Sequence, residues 1–445
     1  MKGLLFTYGL TYGGAVVALF NPFYGLLIYI CFAILRPPAL WYWSVPPSNY
    51  SEIIAIAMLI GWALAGFGNW RLGRAWGVIG AIVGLWLWSV MSAILAAGDT
   101  SHAFGYVTLL AKIVLPILVG ITTINSLTQL KQLAWVIALS QSYVAYEMNA
   151  MYFNGYNRFY LQGFGGADNN VNSIAMATGV GLALFLALDA PRWWQKAIAL
   201  LGAVLMAHSI MFAFSRGGML GLIVIAGVGF YLLPKKPRHY VVFAAVVLVA
   251  LRLAGPEVRE RFSSVFLDEE VRDFSAQSRW EMWGDCWTLM QENPILGVGP
   301  DHWPKMASRF GWNEGKEAHS LWLQTGAELG FVGLGFLLAY YGLCCARLRR
   351  LAKAREPTVD PFLHSTARMV IASVAGFAVS ASFVTVEALE IPYYVALLGA
   401  GALKLSPYYD IEPAAAASAA ESDGIEAEPA TPGPWTPFPL HPSTT

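Results

Sequence analysis

Charge is what this 445-residue sequence has little of: Asp, Glu, Lys and Arg together make up 13% of it, against about 25% in an ordinary soluble domain. With 57% of the residues hydrophobic and a mean hydropathy of +0.53, there is too little polar surface to cover a water-facing globule. A basic excess is missing too, since 28 Lys plus Arg meet 28 Asp plus Glu. Nucleic acid, whose phosphates require a basic footprint, is thereby excluded as a partner. Cysteine is scarce, and Cys31, Cys286, Cys344 and Cys345 have no metal-type spacing, so they read as packing residues. The sequence has no Gly-x-x-x-x-Gly-Lys-Ser/Thr loop, no His-Glu-x-x-His and no two-His, one-carboxylate arrangement. His102, His208, His302 and His364 are scattered. No metal, nucleotide or other cofactor is expected.

What the chain has in quantity is apolar runs long enough for a bilayer core of about 30 Å, which takes roughly 20 residues per helical crossing. They fall near residues 52–68, 76–97, 103–121, 129–149, 171–189, 194–214, 217–233, 240–254, 319–343, 365–384 and 389–404. Residues 1–36, with one Lys and no small-residue cleavage site, read as retained, as one broken helix or two short ones around Asn21-Pro22. The sum is about 12 or 13 crossings, so an all-α polytopic membrane protein is expected. Four regions follow: N-terminal membrane helices over 1–254, an extramembrane loop over 255–318, C-terminal membrane helices over 319–410, and a tail over 411–445. The tail turns to Ala, Pro, Ser, Thr and Glu and is expected to be disordered. No repeat argues for a transporter built from inverted halves.

Lys and Arg alternate between connections. Arg71 and Arg74, Lys131, Arg192 and Lys196, Lys235 to Arg238, and Arg347 to Arg355 occupy one set; Arg36, Arg158 and Arg216 occupy the other. The rule that cytoplasmic loops retain positive charge puts the first set and the tail inside, and the 255–318 loop outside. A loop of that length is usually functional. Its Trp280, Trp283 and Trp287 recur at helical spacing, as in a short helix lying at the membrane interface, with Asn293-Pro294 ending it.

Three charged or titratable side chains on the outer side stand out. Arg216, in Ser215-Arg216-Gly217-Gly218, lies opposite the side favoured for positive charge; it either snorkels or, with glycines beside it, grips an anion such as phosphate. Arg279, in Ser278-Arg279-Trp280, is either a solvated loop residue or a second phosphate ligand at headgroup depth. His319 lies where the loop re-enters the membrane; it is either a hydrogen-bonded interfacial residue or a base suited to neutral pH. Asp168 and Asn169, after Gly163, Gly165 and Gly166, either cap a helix or bind sugar hydroxyls. Lys112, Glu147 and Glu328 are costly within a membrane; structural pairing is expected for Glu328, and Lys112 either pairs or lines a cavity.

The order of Ser215-Arg216-Gly217-Gly218, Ser278-Arg279-Trp280, Pro294-Ile295-Leu296-Gly297-Val298-Gly299 and His319-Ser320-Leu321-Trp322-Leu323-Gln324 with Glu328-Leu329-Gly330 resembles the O-antigen ligase superfamily of ligases, polymerases and protein O-oligosaccharyltransferases. Asn21-Pro22-Phe23-Tyr24-Gly25 and Leu35-Arg36-Pro37-Pro38 are similar to its exosortase-associated branch. The sequence departs at Ser320, where many members carry Asn. The resemblance implies a GT-C-like fold in the bacterial inner membrane and a metal-independent, inverting transfer of a glycan from undecaprenyl diphosphate to an acceptor hydroxyl at the periplasmic face. The acceptor would be a lipid, a glycan or a protein. It also implies that Arg216 and Arg279 bind the diphosphate and that His319 activates the acceptor, with Asp168, Asn169 and Gln324 as glycan or acceptor contacts. A polymerase of the same family, or a transporter of lipid-linked glycan, are the alternatives.

Overall fold

Backbone polar groups inside a bilayer find no water, so apolar runs must bond within themselves, and they do so as helices. The structure, a computed structural model, describes residues 2–233, 237, 240, 241, 274–353, 359–386 and 389–406. Among the described residues no strand forms, and Phe164 and Ala167 make an isolated bridge. In chain order the main helices are α1 (Lys2–Phe20), α2 (Pro22–Leu35), α3 (Tyr50–Leu64), α4 (Trp76–Leu95), α5 (Thr100–Thr123) and α6 (Leu127–Phe153). They continue as α7 (Asn169–Asp189), α8 (Trp193–Phe212), α9 (Arg216–Leu232), α10 (Phe274–Glu292), α11 (Leu321–Lys353), α12 (Pro361–Ser380) and α13 (Ile391–Ser406).

Eight helical segments among the described residues are long and apolar enough to cross a membrane, and α3, α9 and α13 are apolar but shorter. The protein is an all-α polytopic membrane protein. The expected 12 or 13 crossings exceed the eight because of those three shorter helices and of α6, whose 27 residues include more polar side chains. Most of the 240–254 run and all of the 411–445 tail lie outside the described residues. Residues 1–36 form two helices. The side chain of Asn21 accepts from the Tyr24 N–H and caps α2, with Pro22 at its first position, where a missing N–H costs nothing. At the centre of the bundle is α7, which packs on α6, α8, α9 and α12.

Hydrogen bonds between connections define two ends. At one, Arg158 donates to the Ala39 carbonyl (2.7 Å), Arg36 to Gly165, and Asn169 to the Ala213 carbonyl (2.9 Å). At the other, Lys404 donates to the Ile121 carbonyl (2.6 Å) and to Asn125 (3.0 Å), and Arg347 donates to the Arg74 carbonyl (2.5 Å). The two sets of basic residues separated by their alternation in sequence thus occupy opposite ends wherever these bonds reach them.

The described part of the long loop, from residue 274, is folded rather than merely laid on the surface. Met282, Cys286 and Leu289 make one face of α10 and pack with Trp303, Ala307, Ala318 and Ala327 in a small core of their own. Trp280 and Trp287 are exposed, whereas Trp283 turns partly inward and donates to the Ala318 carbonyl (3.0 Å).

The loop is fastened to the membrane bundle at a break in α11. Gly330 has φ +68° and ψ −175° inside the helix, which frees carbonyls that hydrocarbon would leave unsatisfied. Val298 N–H donates to Ala327 (3.1 Å), Gly299 N–H to the Glu328 carbonyl (3.0 Å), and Phe331 N–H to Pro294 (2.8 Å). From α4, Trp88 donates to the Leu329 carbonyl (3.0 Å). The Glu328 carboxylate, 1% exposed, accepts from the Asp301 N–H (3.0 Å), the Trp303 N–H (3.2 Å) and Gln324 (3.2 Å). Its partners are backbone amides of the loop, so its role is structural.

Two substitutions test this joint. Gly330→Val imposes left-handed strain of about 1–3 kcal/mol and drives a Cβ into the Pro294 and Ile295 carbonyls. Glu328→Leu orphans two buried N–H groups at about 1–3 kcal/mol each. Both should lower the thermal unfolding midpoint in detergent, whereas Gly335→Val, in open space, should leave it nearly unchanged. A Gly330→Val protein as stable as Gly335→Val would show that the break is not required.

Candidate active site

Three distant segments are tied to the turn that follows α12. Ser380 donates to the Gly217 carbonyl at the start of α9 (2.8 Å). The Leu321 N–H, at the start of α11, donates to Ala381 (2.9 Å) and Val384 (3.2 Å). Trp283 of α10 lies with its ring 6.1 Å from that of Phe383. Arg216, Arg279 and His319 each belong to one of these segments or lie within about a helical turn of it, so one turn organises the surroundings of all three.

Each segment has a local reason for its shape. Ser215, fully buried, caps α9 by accepting from the Gly218 N–H (3.3 Å), which makes Arg216 the first helical residue. A Cβ at Gly218 would stand 2.5 Å from the Cβ of Ser173, so glycine there lets α9 and α7 approach closely. Asp168 caps α7 by accepting from the Val171 N–H (2.8 Å), in agreement with the capping alternative. Asn169 holds the adjoining Ala213 carbonyl.

His319 has φ +53°, a left-handed conformation uncommon for a non-glycine residue and characteristic of functional sites. Burial depresses its pKa from 6.5 to about 4; the positive charges of Arg279 and Lys316 push in the same direction, and Asp168 opposes them. The imidazole is therefore neutral across ordinary pH and lies within the electrostatic reach of both a guanidinium and a carboxylate. Gln324 is fully buried. Its oxygen accepts from the Ala318 N–H (3.1 Å) and from Thr385 (2.9 Å), while its nitrogen donates to Glu328. It stands behind the His319 turn as a positioning residue, with both ends of its amide engaged.

Beside this turn opens a cavity of about 430 Å³, whose lining includes Arg36, Asp301, Glu317, Thr385 and Glu390. Apolar residues of α5, α6 and α7, among them Leu110, Val144 and Met176, also line it. Sequence reasoning missed this wall, because Glu317 and Glu390 stand alone in sequence; their positions next to helix starts were the available signal. Burial pushes the Glu317 carboxyl above the usual range, with Asp301 adding to the effect, and its Oε2 has no hydrogen-bond partner. Glu390 accepts from the Tyr394 hydroxyl (2.9 Å).

The scattered histidines are also partly gathered. His102 and His302 stand with rings 5.7 Å apart. Nε2 of His302 accepts from the Asp99 N–H (3.0 Å) and its Nδ1 donates to the Pro300 carbonyl (2.8 Å), so both ring nitrogens are engaged. Lys305 pairs with Asp99 (2.8 Å), which lowers the Asp99 carboxyl to about 2. These contacts pin the loop to the turn between α4 and α5. Among the described residues no group of three His, Cys, Asp or Glu side chains is placed to hold a metal ion.

The electrostatics of His319 can be tested by NMR titration of histidine-labelled protein in detergent. Arg279→Gln should move the His319 midpoint up from about 4 toward 6.5, and Asp168→Asn should move it further down. A midpoint unmoved by Arg279→Gln would separate the guanidinium from the imidazole.

No curated protein matches the chain. A family model described as O-antigen ligase matches residues 201–338, a stretch that contains Arg216, Arg279, His319 and the Pro294–Gly299 segment packed on the α11 break. Over this stretch, less than half of the chain, the protein is similar to the O-antigen ligase family.

Proposed function

We propose that the protein is a metal-independent, inverting glycosyltransferase that moves a glycan from undecaprenyl diphosphate to an acceptor hydroxyl at the periplasmic face of the inner membrane. In this reading Arg216 and Arg279 bind the diphosphate and His319 is the base. The observation that carries it is the neutral His319 ring, held in a strained turn beside the Arg279 charge. The orientation follows from charge: the end rich in Lys and Arg faces the cytoplasm, which leaves the His319 end outside.

The acceptor oxygen attacks the anomeric carbon as the bond from that carbon to the diphosphate oxygen breaks. The acceptor proton passes to His319, and the electron pair leaves on the diphosphate. A single displacement of this kind inverts the anomeric centre. Negative charge grows on the leaving phosphate, where preorganised guanidinium groups in a partly dehydrated site stabilise it more than water would. In the same reading Asp168 and Asn169, at the start of α7, contact glycan or acceptor in addition to their bonds to Val171 and Ala213.

Donor binding also tunes the base. In the free protein Arg279 helps to keep the imidazole a weak base, and a bound diphosphate offsets that charge. The acid limb of kcat/KM, which reports the free enzyme, should lie near 4, and the limb of kcat should lie higher. Coincident limbs would remove the coupling.

In a reconstituted transfer assay, Arg216→Ala and Arg279→Ala should each cost about 2.7–4 kcal/mol in the barrier, by analogy with oxyanion sites. His319→Ala should lose about 10²–10⁴-fold. All three should insert normally, and chelator should leave the wild type active. Full activity in His319→Ala, or activity lost in chelator and restored by a divalent ion, would overturn the assignment. One addition per acceptor marks a ligase, and a ladder on the lipid carrier marks a polymerase.

A further inference from the structure

At the opposite end of the bundle from His319 is a cavity of about 620 Å³. Arg74, Arg347 and Arg350 bring charge to it, and Trp76, Leu351 and Leu403 bring an apolar face. Trp76 is the first residue of α4 and is 69% exposed. Arg347 and Arg350 lie in the last turns of α11. Both helices belong to candidate membrane spans, so the cavity opens where the spans end. Arg347 reaches across to α4, donating to the Arg74 carbonyl. It can do so because residue 77 is glycine: a Cβ there would lie 2.6 Å from Nη2 of Arg347.

We propose that this cavity binds the headgroup phosphate of an anionic phospholipid from the leaflet at that end. The guanidinium fork matches phosphate oxygens in shape and charge. Exposed Trp at a span end belongs at headgroup depth, and basic pockets between helices are a recurring form of lipid-headgroup site. The apolar face favours a lipid over a free anion. Inorganic phosphate would meet the arginines and leave the exposed Trp76 ring uncovered, whereas a phospholipid lays its first acyl carbons against it. By charge alone the rival occupant is the chain's own tail, since residues 411–445 include Glu421, Asp423, Glu426 and Glu428 and no Lys or Arg. Such a peptide has no acyl chain for the apolar face. The proposal is independent of the glycosyl-transfer reading.

The test is thermal unfolding of the full-length protein in nanodiscs of phosphatidylcholine, with and without phosphatidylglycerol. A ligand that binds only the folded state raises its midpoint, so phosphatidylglycerol should raise it by several degrees. Arg350→Gln, an exposed side chain, should abolish most of that rise while keeping the phosphatidylcholine midpoint. Arg192→Gln, basic but outside the cavity, should retain the rise. Trp76→Leu should retain less phosphatidylglycerol in native mass spectrometry, a readout that does not depend on the midpoint. The proposal is overturned if Arg350→Gln keeps the full rise, if Arg192→Gln loses it equally, or if millimolar inorganic phosphate reproduces it. It is equally overturned if the rise emerges only after the five tail acids, Glu412 included, are changed to amides.

Discussion

The site depends on how a helix is interrupted inside a bundle that allows no unsatisfied backbone. At Gly330 the backbone of α11 leaves helical geometry, and the carbonyls of Ala327, Glu328 and Leu329 need donors from elsewhere. The Pro294–Gly299 segment supplies two of them and α4 a third. The side chain of Glu328, whose own carbonyl is among those freed, extends the joint by taking the Asp301 and Trp303 amides. A long extramembrane loop is thereby locked in register to the helix that carries His319 at its entrance. Without that lock, Arg279 and Trp283 would have no fixed relation to the 318–320 turn.

Charge in this molecule is concentrated at the two ends, and each end uses it differently. At the His319 end, cations and carboxylates are interleaved: Arg279 and Asp168 act on one imidazole in opposite directions, and Arg36 faces the carboxyl of Glu390. Such an arrangement suits a site where charge is redistributed during a reaction. At the other end Arg74, just before α4, and Arg347 and Arg350 of α11 gather around a cavity with an apolar face, an arrangement suited to holding one anion in place. The two ends are joined by helices such as α7, whose buried face leaves little room for polar groups between them.

The motifs that carry the family resemblance acquire distinct physical roles in the fold. Gly218 allows α9 to press against α7, and the Gly217 carbonyl accepts from Ser380 of α12, so this pair is about packing as much as anion access. Gly297 and Gly330 are backbone-against-backbone contacts where any Cβ would collide. Gln324 and Glu328 brace the His319 turn and the loop from beneath. The proposed mechanism assigns its chemistry to Arg216, Arg279 and His319.

Apolar runs, the Asn21-Pro22 and Asn293-Pro294 stops and the alternation of basic connections determined the helical membrane class, most helix positions and the separation of the two ends, because these are properties of neighbours in sequence. The same local logic identified the cap at Asp168 and singled out Arg216, Arg279 and His319 one by one. Tertiary structure alone decided that α11 breaks at Gly330, that Gln324 is a brace, that His102 and His302 meet, and that Glu317 and Glu390 share a cavity wall. Each of these depends on a partner far along the chain, and hydropathy averages such pairings away: whether a buried polar group is costly or useful is set by the donor opposite it, which only the folded chain supplies.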